Sequence, residues 1–393
     1  MIKRERYLKQ IRDFYDSDLV KVIVGIRRCG KSVILNQIQE EIEKISDNVI
    51  SLNFEKVSDL MKVSTSFELM EYVSAHRKEG KCFVFLDEIQ EVEDWQIAVK
   101  SLRLESTSIF ITGSNSKLLS KEFLTLLSGR FVSFQIRPFV YKEIQEYAKE
   151  NNRQYSYMNY LIWGGFPGRL ASSTMESMKV YLNDLEATIV INDLIRRYHI
   201  KKVVPFKKLV SYILKSNARI YSARSIQSYL NSQTEKIALN TVLSYLEYLK
   251  EAYIIDELKQ YSPKTKKELA YYGKIYDADV SFNSLSVFSN RYDLDHNLEN
   301  IVYNELLYMG YDLKTYDNNG REIDFIANKD GKNFLVQVAY SVYDEKAYQR
   351  EISAFKGADD MMARILITND ELDYSTSLVR HIRLKDFLLM EEL

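Results

Sequence analysis

Cysteine, proline and glycine are scarce in this 393-residue chain, at two, four and thirteen residues. Cys29 sits in a turn between an apolar run and a helical pattern, and Cys82 opens an apolar strand. Two thiols so placed exclude a disulfide framework or a zinc site. The shortage of proline and glycine argues against long flexible linkers, so the domains should pack closely. No repeat or low-complexity tract is present. No apolar run approaches the roughly 18 residues of a membrane span. The opening residues, Met1-Ile-Lys-Arg-Glu-Arg6, lack the apolar core of a signal peptide. The expected location is the cytoplasm, with no membrane partner. A net charge of -1 gives no overall nucleic-acid footprint, although neutrality can conceal separate basic surfaces. The 46% hydrophobic and 28% charged content is that of a globular protein, and the length suggests two to four domains.

What is present begins with Lys21-Val-Ile-Val-Gly-Ile-Arg-Arg-Cys-Gly-Lys-Ser-Val-Ile-Leu35. An apolar strand, Val22 to Val24, runs into Gly25-x-x-x-x-Gly30-Lys31-Ser32, and a helix pattern follows at once. This is the arrangement of a nucleotide phosphate loop. Gly25 and Gly30 let the backbone turn its N–H groups inward as an anion nest. The helix beginning near Lys31 adds the positive end of its dipole. Lys31 is placed to reach the β- and γ-phosphates of ATP, and Ser32 to offer its hydroxyl to Mg²⁺. The positions assigned to the nucleotide are Gly25, Arg28, Cys29, Gly30, Lys31, Ser32 and Val33. Arg27 and Arg28 either add positive charge near the phosphates or face solvent. Cys29 offers a thiol whose modification would block the loop.

The run Lys81-Cys-Phe-Val-Phe-Leu-Asp-Glu-Ile-Gln90 ends a continuous apolar strand in two carboxylates. Such a run suits a strand buried on both faces of a parallel sheet. Asp87 is expected to join Ser32 at the metal, and Glu88 to polarise an attacking water as general base. Ser108 to Asn115 is a further buried strand with a polar end. If it lies between the two motif strands, Ser114 or Asn115 sits beside the γ-phosphate; otherwise they cap a helix. Arg130 precedes the strand Phe131 to Ile136. It either contacts the γ-phosphate, in cis or from a neighbouring subunit, or forms a surface salt bridge. The catalytic set is therefore Glu88, Asn115 and Arg130, on an α/β core spanning residues 1–140.

Residues 141–200 read as a helical lid whose Trp163-Gly-Gly-Phe-Pro-Gly-Arg169 segment makes a structural corner. Residues 201–292 read as a winged-helix region. Its helices are Phe206–Ser216, Ala223–Leu230 and Leu239–Ala252. Its wing strands, Tyr253–Tyr261 and Lys274–Asp277, are joined across Pro263-Lys-Thr-Lys-Lys267. The third helix, carrying Asn240, Thr241, Ser244 and Tyr245, could enter a DNA groove. Its few basic residues favour a protein-binding or lid module instead. In residues 293–393, Leu298–Leu307 reads as a strongly amphipathic helix. Glu305 on it, Asp324 in mid-strand and Gln337 on the next strand outline a metal-dependent nuclease site. Gln337 replaces an acid and Ala339 stands where the lysine would be, so this region is expected to be catalytically inactive.

Taken together, several motifs carry a resemblance. They are the loop Gly25–Ser32, Phe83–Gln90 with Trp95-Gln96, Thr112–Ser120, Gly129–Phe131, Arg137-Pro-Phe139 with Glu143, and Gly164–Pro167. The chain resembles prokaryotic AAA-domain ATP-binding proteins of the STAND-like or archaeal-type branch. Their C-terminal domain of unknown function resembles the PD-(D/E)XK nuclease fold. The resemblance covers essentially the whole chain. It implies a P-loop NTPase parallel sheet with a helical lid, a winged helix and a C-terminal restriction-endonuclease-like α/β domain. It brings roles to Lys31, Ser32, Asp87 and Glu88, and extends to Asn115 and Arg130. The implied activity is Mg²⁺-dependent ATP hydrolysis that moves the winged-helix and C-terminal domains. The alternatives are a non-hydrolysing nucleotide switch that binds a protein or DNA, and an ATP-controlled DNA nuclease. A homo-oligomer or protein partner would supply an arginine in trans.

Overall fold

Five short runs rich in β-branched and aromatic residues pair as one parallel sheet in the order β2-β3-β4-β1-β5. The strands are β1 (Val20–Val24), β2 (Val49–Asn53), β3 (Cys82–Asp87), β4 (Thr107–Gly113) and β5 (Phe131–Gln135). The computed structural model describes residues 2–113, 118, 121–233, 235–261, 273–287, 291–318 and 320–393. Every residue of β1, β3 and β4 is buried, as expected of strands covered on both faces. The edge strand β2 mixes buried and exposed positions, whereas no residue of β5 is fully buried. The accompanying helices are α1 (Glu5–Arg12), α2 (Lys31–Ile42), α3 (Val57–Leu60), α4 (Ser66–His76), α5 (Trp95–Arg103) and α6 (Lys121–Leu126). The start of α4 is fixed by a capping box between Thr65 and Glu68. These elements make one compact unit of residues 1–138 with 251–253.

Lys21 is out of place by hydropathy, since it sits fully buried in β1. Its Nζ donates to Ser108 Oγ (2.7 Å) and Ser17 O (3.1 Å), and lies 4.7 Å from the centre of the Phe110 ring. Burial, reinforced by the charge of Lys81, lowers its pKa to about 7 despite Asp18 and Asp16 nearby. The folded chain therefore holds this proton less tightly than the unfolded chain. Between pH 7 and the ordinary lysine value the unfolded state binds more protons, so stability rises with pH across that window. Below pH 7 the cost of the buried ammonium is fully present. Lys21→Met should raise the unfolding free energy at pH 7 by on the order of a few kcal/mol and flatten the rise between pH 7 and 10. Urea titrations at both pH values check this.

Residues 139–250 and 254–393 form a second compact unit. It begins with α7 (Tyr141–Glu150), α8 (Tyr157–Trp163), α9 (Met175–Glu186) and α10 (Leu194–Arg197). Next come α11 (Val203–Leu214), β6 (Arg219–Ile220), α12 (Ala223–Gln233) and α13 (Leu239–Glu251). The chain continues through β7 (Ile255–Leu258), β8 (Gln260–Tyr261), β9 (Lys274–Asp277), α14 (Ser281–Leu285) and α15 (Leu294–Tyr308). The final stretch is β10 (Asp312–Asn318), β11 (Arg321–Lys329), β12 (Lys332–Ala339), α16 (Glu345–Ala354), β13 (Ala363–Thr368), β14 (Val379–Arg383) and α17 (Leu384–Phe387). Strands β6, β9 and β7 form a small antiparallel sheet. The other sheet has the order β14-β13-β12-β11-β10-β8. Asp330 and Gly331, both at positive φ, make the two-residue turn between β11 and β12.

Three expectations for this unit change. The stretch expected as a single wing strand, Tyr253–Tyr261, splits: β7 pairs with β9, whereas β8 pairs with β10 of the larger sheet. Pro263–Lys267 lies outside the described residues. On α13, Tyr245 faces inward with Val242, Leu246 and Leu249, its ring edge-on to Phe206 at 5.1 Å. The exposed residues Asn240, Leu243 and Glu247 of α13 carry no positive charge. Finally, α15 is not amphipathic, because every residue from Asn297 to Leu306 is buried. Its polar groups are bonded internally: Asn297 Nδ2 donates to Leu161 O, and Asn300 Nδ2 to Asp277 O.

The corner at Trp163–Arg169 is held by buried charge. Gly164 sits at φ 62°, ψ -155°. Gly165 N donates to Asp279 Oδ2 at 2.6 Å, and Phe139 N donates to Gly165 O at 2.8 Å. Arg169, also buried, donates through Nε and Nη2 to Gly164 O and through Nη1 to Asn159 Oδ1.

Candidate functional site

The site of the first unit forms where β1, β2, β3 and β4 end. The apolar run of β1 stops at Gly25, whose φ is +146°. A Cβ there would lie 2.1 Å from Ile136 O, so only glycine lets the chain leave the strand this way. Arg28 and Gly30 also take positive φ, and α2 begins at Lys31 with Gly30 as its left-handed N-cap. Lys31 is buried, and its Nζ donates to the carbonyls of Gly25 and Ile26, both at 3.2 Å. Its ammonium thus stands inside the turn of the loop.

Asp87, the last residue of β3, is the hub. Its Oδ1 accepts from Ser32 Oγ at 3.1 Å and from Thr112 Oγ1, and its Oδ2 accepts from Asn53 Nδ2 at 2.9 Å. Burial raises its pKa, reinforced by the charge of Glu88 and opposed by the Thr112 and Ser32 hydroxyls. Ser32 and Asp87 offer hydroxyl and carboxylate oxygen side by side, the hard donors Mg²⁺ takes along with water and phosphate. The residues present therefore fit that ion.

Glu88 follows with a left-handed backbone, φ 53° and ψ 48°. Such a conformation in a glutamate costs free energy and is characteristic of functional turns. It is held because Glu88 N donates to Thr112 Oγ1 at 3.0 Å and Gln90 Nε2 donates to the Glu88 carboxylate.

Thr112 and Gln90 lie in the named motifs without an assigned role, and Asn53 lies in none of them. The signal was available in part. Asn53 and Thr112 close apolar strand runs, and the parallel register sets Asn53 opposite Asp87. Arg4 gave no signal at all. It is buried, and its Nη1 donates to Cys29 O at 3.1 Å and Arg137 O at 3.0 Å, tying the loop to the segment after β5. Arg4→Met leaves both carbonyls without this partner, each costing about 1–3 kcal/mol. We expect nucleotide affinity to fall by about tenfold or more, with Arg4→Lys falling between it and the wild type. Titration with a fluorescent ATP analogue checks this.

The remaining expected residues divide. Strand β4 lies between β1 and β3, meeting the condition set for Ser114 and Asn115, but both fall outside the described residues. Val33 is half-buried on the first turn of α2 and Arg28 is exposed. Cys29 is fully buried with Sγ 3.3 Å from Ile136 O, and burial pushes its thiol pKa up. It is therefore not a handle for thiol reagents. Arg130 cannot reach the phosphate loop of its own chain. It precedes β5, whose Phe131 pairs with Val20, so it lies at the amino edge of the sheet. The loop leaves the opposite edge, about 16 Å away over five residues of strand.

In the second unit, Glu305 does not join Asp324. Its Oε1 accepts from Tyr141 N at 2.9 Å, and burial raises its pKa to about 8. The helix acid beside Asp324 is Glu299, six residues earlier and about 120° round α15. Gln337 does meet Asp324: its Oε1 accepts from Asp324 N at 3.3 Å, while its Nε2 donates to Glu351 at 2.7 Å.

Residues 17–145 match the family model for an AAA domain, and residues 153–290 match one for a domain of unknown function (DUF8612). An uncharacterized protein of Haemophilus influenzae is 33% identical over 379 residues, covering 94% of this chain and 93% of that protein. An uncharacterized protein of Methanocaldococcus jannaschii is 32% identical over 384 residues, with 90% and 82% covered. Among solved structures, the Walker-type ATPase paby2304 of Pyrococcus abyssi superposes with a TM-score of 0.51 at 17% identity. That match covers 73% of this chain and 96% of that one. Among the described residues no helix is long and apolar enough to cross a membrane.

Proposed function

The chain belongs to the family of its H. influenzae and M. jannaschii relatives and carries an AAA-type P-loop ATPase domain, and from that premise we propose that it hydrolyses ATP with Mg²⁺. The carrying observation is the Ser32–Asp87 contact at 3.1 Å, with Lys31 beside it in the loop and Glu88 next along the chain. Lys31 exchanges the carbonyls of Gly25 and Ile26 for phosphate oxygens. Ser32 and Asp87 would hold the metal, which when bound would neutralise charge on the phosphates. Glu88, fixed by Thr112 and Gln90, takes the proton of the attacking water. In this reading a second copy supplies the arginine that meets the γ-phosphate, which accords with the place of Arg130 at the amino edge of its own sheet. Hydrolysis is coupled to movement of the winged-helix and C-terminal regions, which share one compact unit. Steady-state phosphate release by the wild-type chain and by Glu88→Gln tests the assignment. Equal rates would overturn the role given to Glu88, and no release from either chain would leave a non-hydrolysing nucleotide switch.

A further inference from the structure

A nuclease reading of the C-terminal region calls for a divalent metal held by carboxylates. Three carboxylates do converge, but on an ammonium. Lys274 of β9 reaches Glu299 Oε1 of α15 at 2.6 Å, Glu322 Oε1 at 2.8 Å and Asp324 Oδ1 at 3.2 Å. Glu322 and Asp324 are two apart in β11 and so share a face. The lysine is buried. The acids are also held from behind: Tyr276 OH donates to Glu299 Oε1 at 2.7 Å, and Val338 N donates to Asp324 Oδ2 at 2.9 Å. Among the described residues no group of three or more His, Cys, Asp or Glu side chains is placed to hold a metal. The residues as they stand do not fit that ion.

We propose that Lys274 is the resident cation of this pocket, taking the place of a divalent metal, and that removing its ammonium converts Glu299, Glu322 and Asp324 into a divalent-cation site. Three oxygens from two elements already lie within 3.2 Å of one point. A hard cation with oxygens at about 2.0–2.6 Å would need them to contract by at most roughly 1.2 Å. The charge balance points the same way. One ammonium faces three carboxyl groups, and an unpaired buried carboxylate is costly, so without Lys274 the buried Glu299 and Asp324 must take up either protons or another cation, two outcomes that Mn²⁺ binding separates. The inference is independent of the ATPase reading, since none of these residues belongs to the phosphate-loop site.

The test is Mn²⁺ binding to the full chain without nucleotide, followed by electron paramagnetic resonance and by thermal midpoint. Relative to the wild type, Lys274→Met should gain one Mn²⁺ site and a Mn²⁺-dependent rise in midpoint. Lys274→Arg, which keeps a cation in the pocket, should gain neither. Adding Asp324→Asn to Lys274→Met should abolish the gain. Because Lys274→Met leaves the acids uncompensated, recovery of folded protein only with Mn²⁺ present also supports the proposal. A Lys274→Met chain that Mn²⁺ neither binds nor stabilises overturns it, whether or not that chain folds. Wild-type Mn²⁺ binding that Asp324→Asn removes would overturn it equally.

Discussion

Replacing Glu88 by Gln is expected to lower steady-state phosphate release by about 10²- to 10⁴-fold, the range for loss of a general base, while ATP still binds. The substitution keeps size and shape and removes only basicity. Binding should survive because the contacts assigned to phosphate and metal come from Lys31, Ser32 and Asp87, none of which depends on the Glu88 carboxylate. The backbone of residue 88 should also survive, because it is fixed by the bond from its N–H to Thr112 Oγ1. The measurement pairs a phosphate-release assay with titration of a non-hydrolysable ATP analogue. Loss of both together would mean that the substitution had disturbed the loop rather than the chemistry.

Gly164→Ala should be among the most damaging single substitutions in the second unit. Its φ and ψ of 62° and -155° fall in a region essentially restricted to glycine. Added to that strain, a Cβ would lie 1.8 Å from Asp279 Oδ1. Asp279 cannot simply withdraw, because it accepts from Gly165 N and Ser281 N. Strain and overpacking together come to about 4 kcal/mol, or about 10 °C in melting temperature for a unit of this size. Gly331→Ala is the comparison. Gly331 also has positive φ, but nothing lies within 4 Å of a Cβ there, so only the backbone term of about 1–2 kcal/mol applies. Equal melting temperatures for the two variants would show that the corner yields and that Asp279 does not clamp it.

The phosphate loop and Asp87-Glu88 were legible because each is a contiguous signature on a continuous apolar strand, where local chain geometry alone fixes what the residues face. Arg4 was not legible, because its role depends on Arg137, 133 residues away, whose carbonyl it shares with the loop. For Arg130, left open between a contact in cis, one in trans and a surface salt bridge, the parallel pairing of Phe131 with Val20 sets it at the amino edge, away from the loop of its own chain. The choice of Glu305 over Glu299 failed for a different reason. Picking the inward acid on a helix relies on an apolar stripe, and α15 has none, being buried on every side with its amides bonded inside. Lys274 was legible only as a strand residue, since nothing local marks a lysine that pairs with acids 25, 48 and 50 residues later.

The run from Ile255 to Tyr261 enters two sheets in succession, and this limits how the chain could be recombined in evolution or engineering. A piece beginning at residue 293 would leave behind β8, opening the backbone of β10 along Thr315 and Tyr316 to edge-to-edge association. It would also leave behind Lys274, stranding the carboxylates that the lysine neutralises. A cassette for the C-terminal sheet that keeps β8, Lys274 and the whole of the small antiparallel sheet therefore starts no later than residue 219, where β6 begins. Natural fusions or designed chimaeras that respect the fold should carry the small antiparallel sheet along with it.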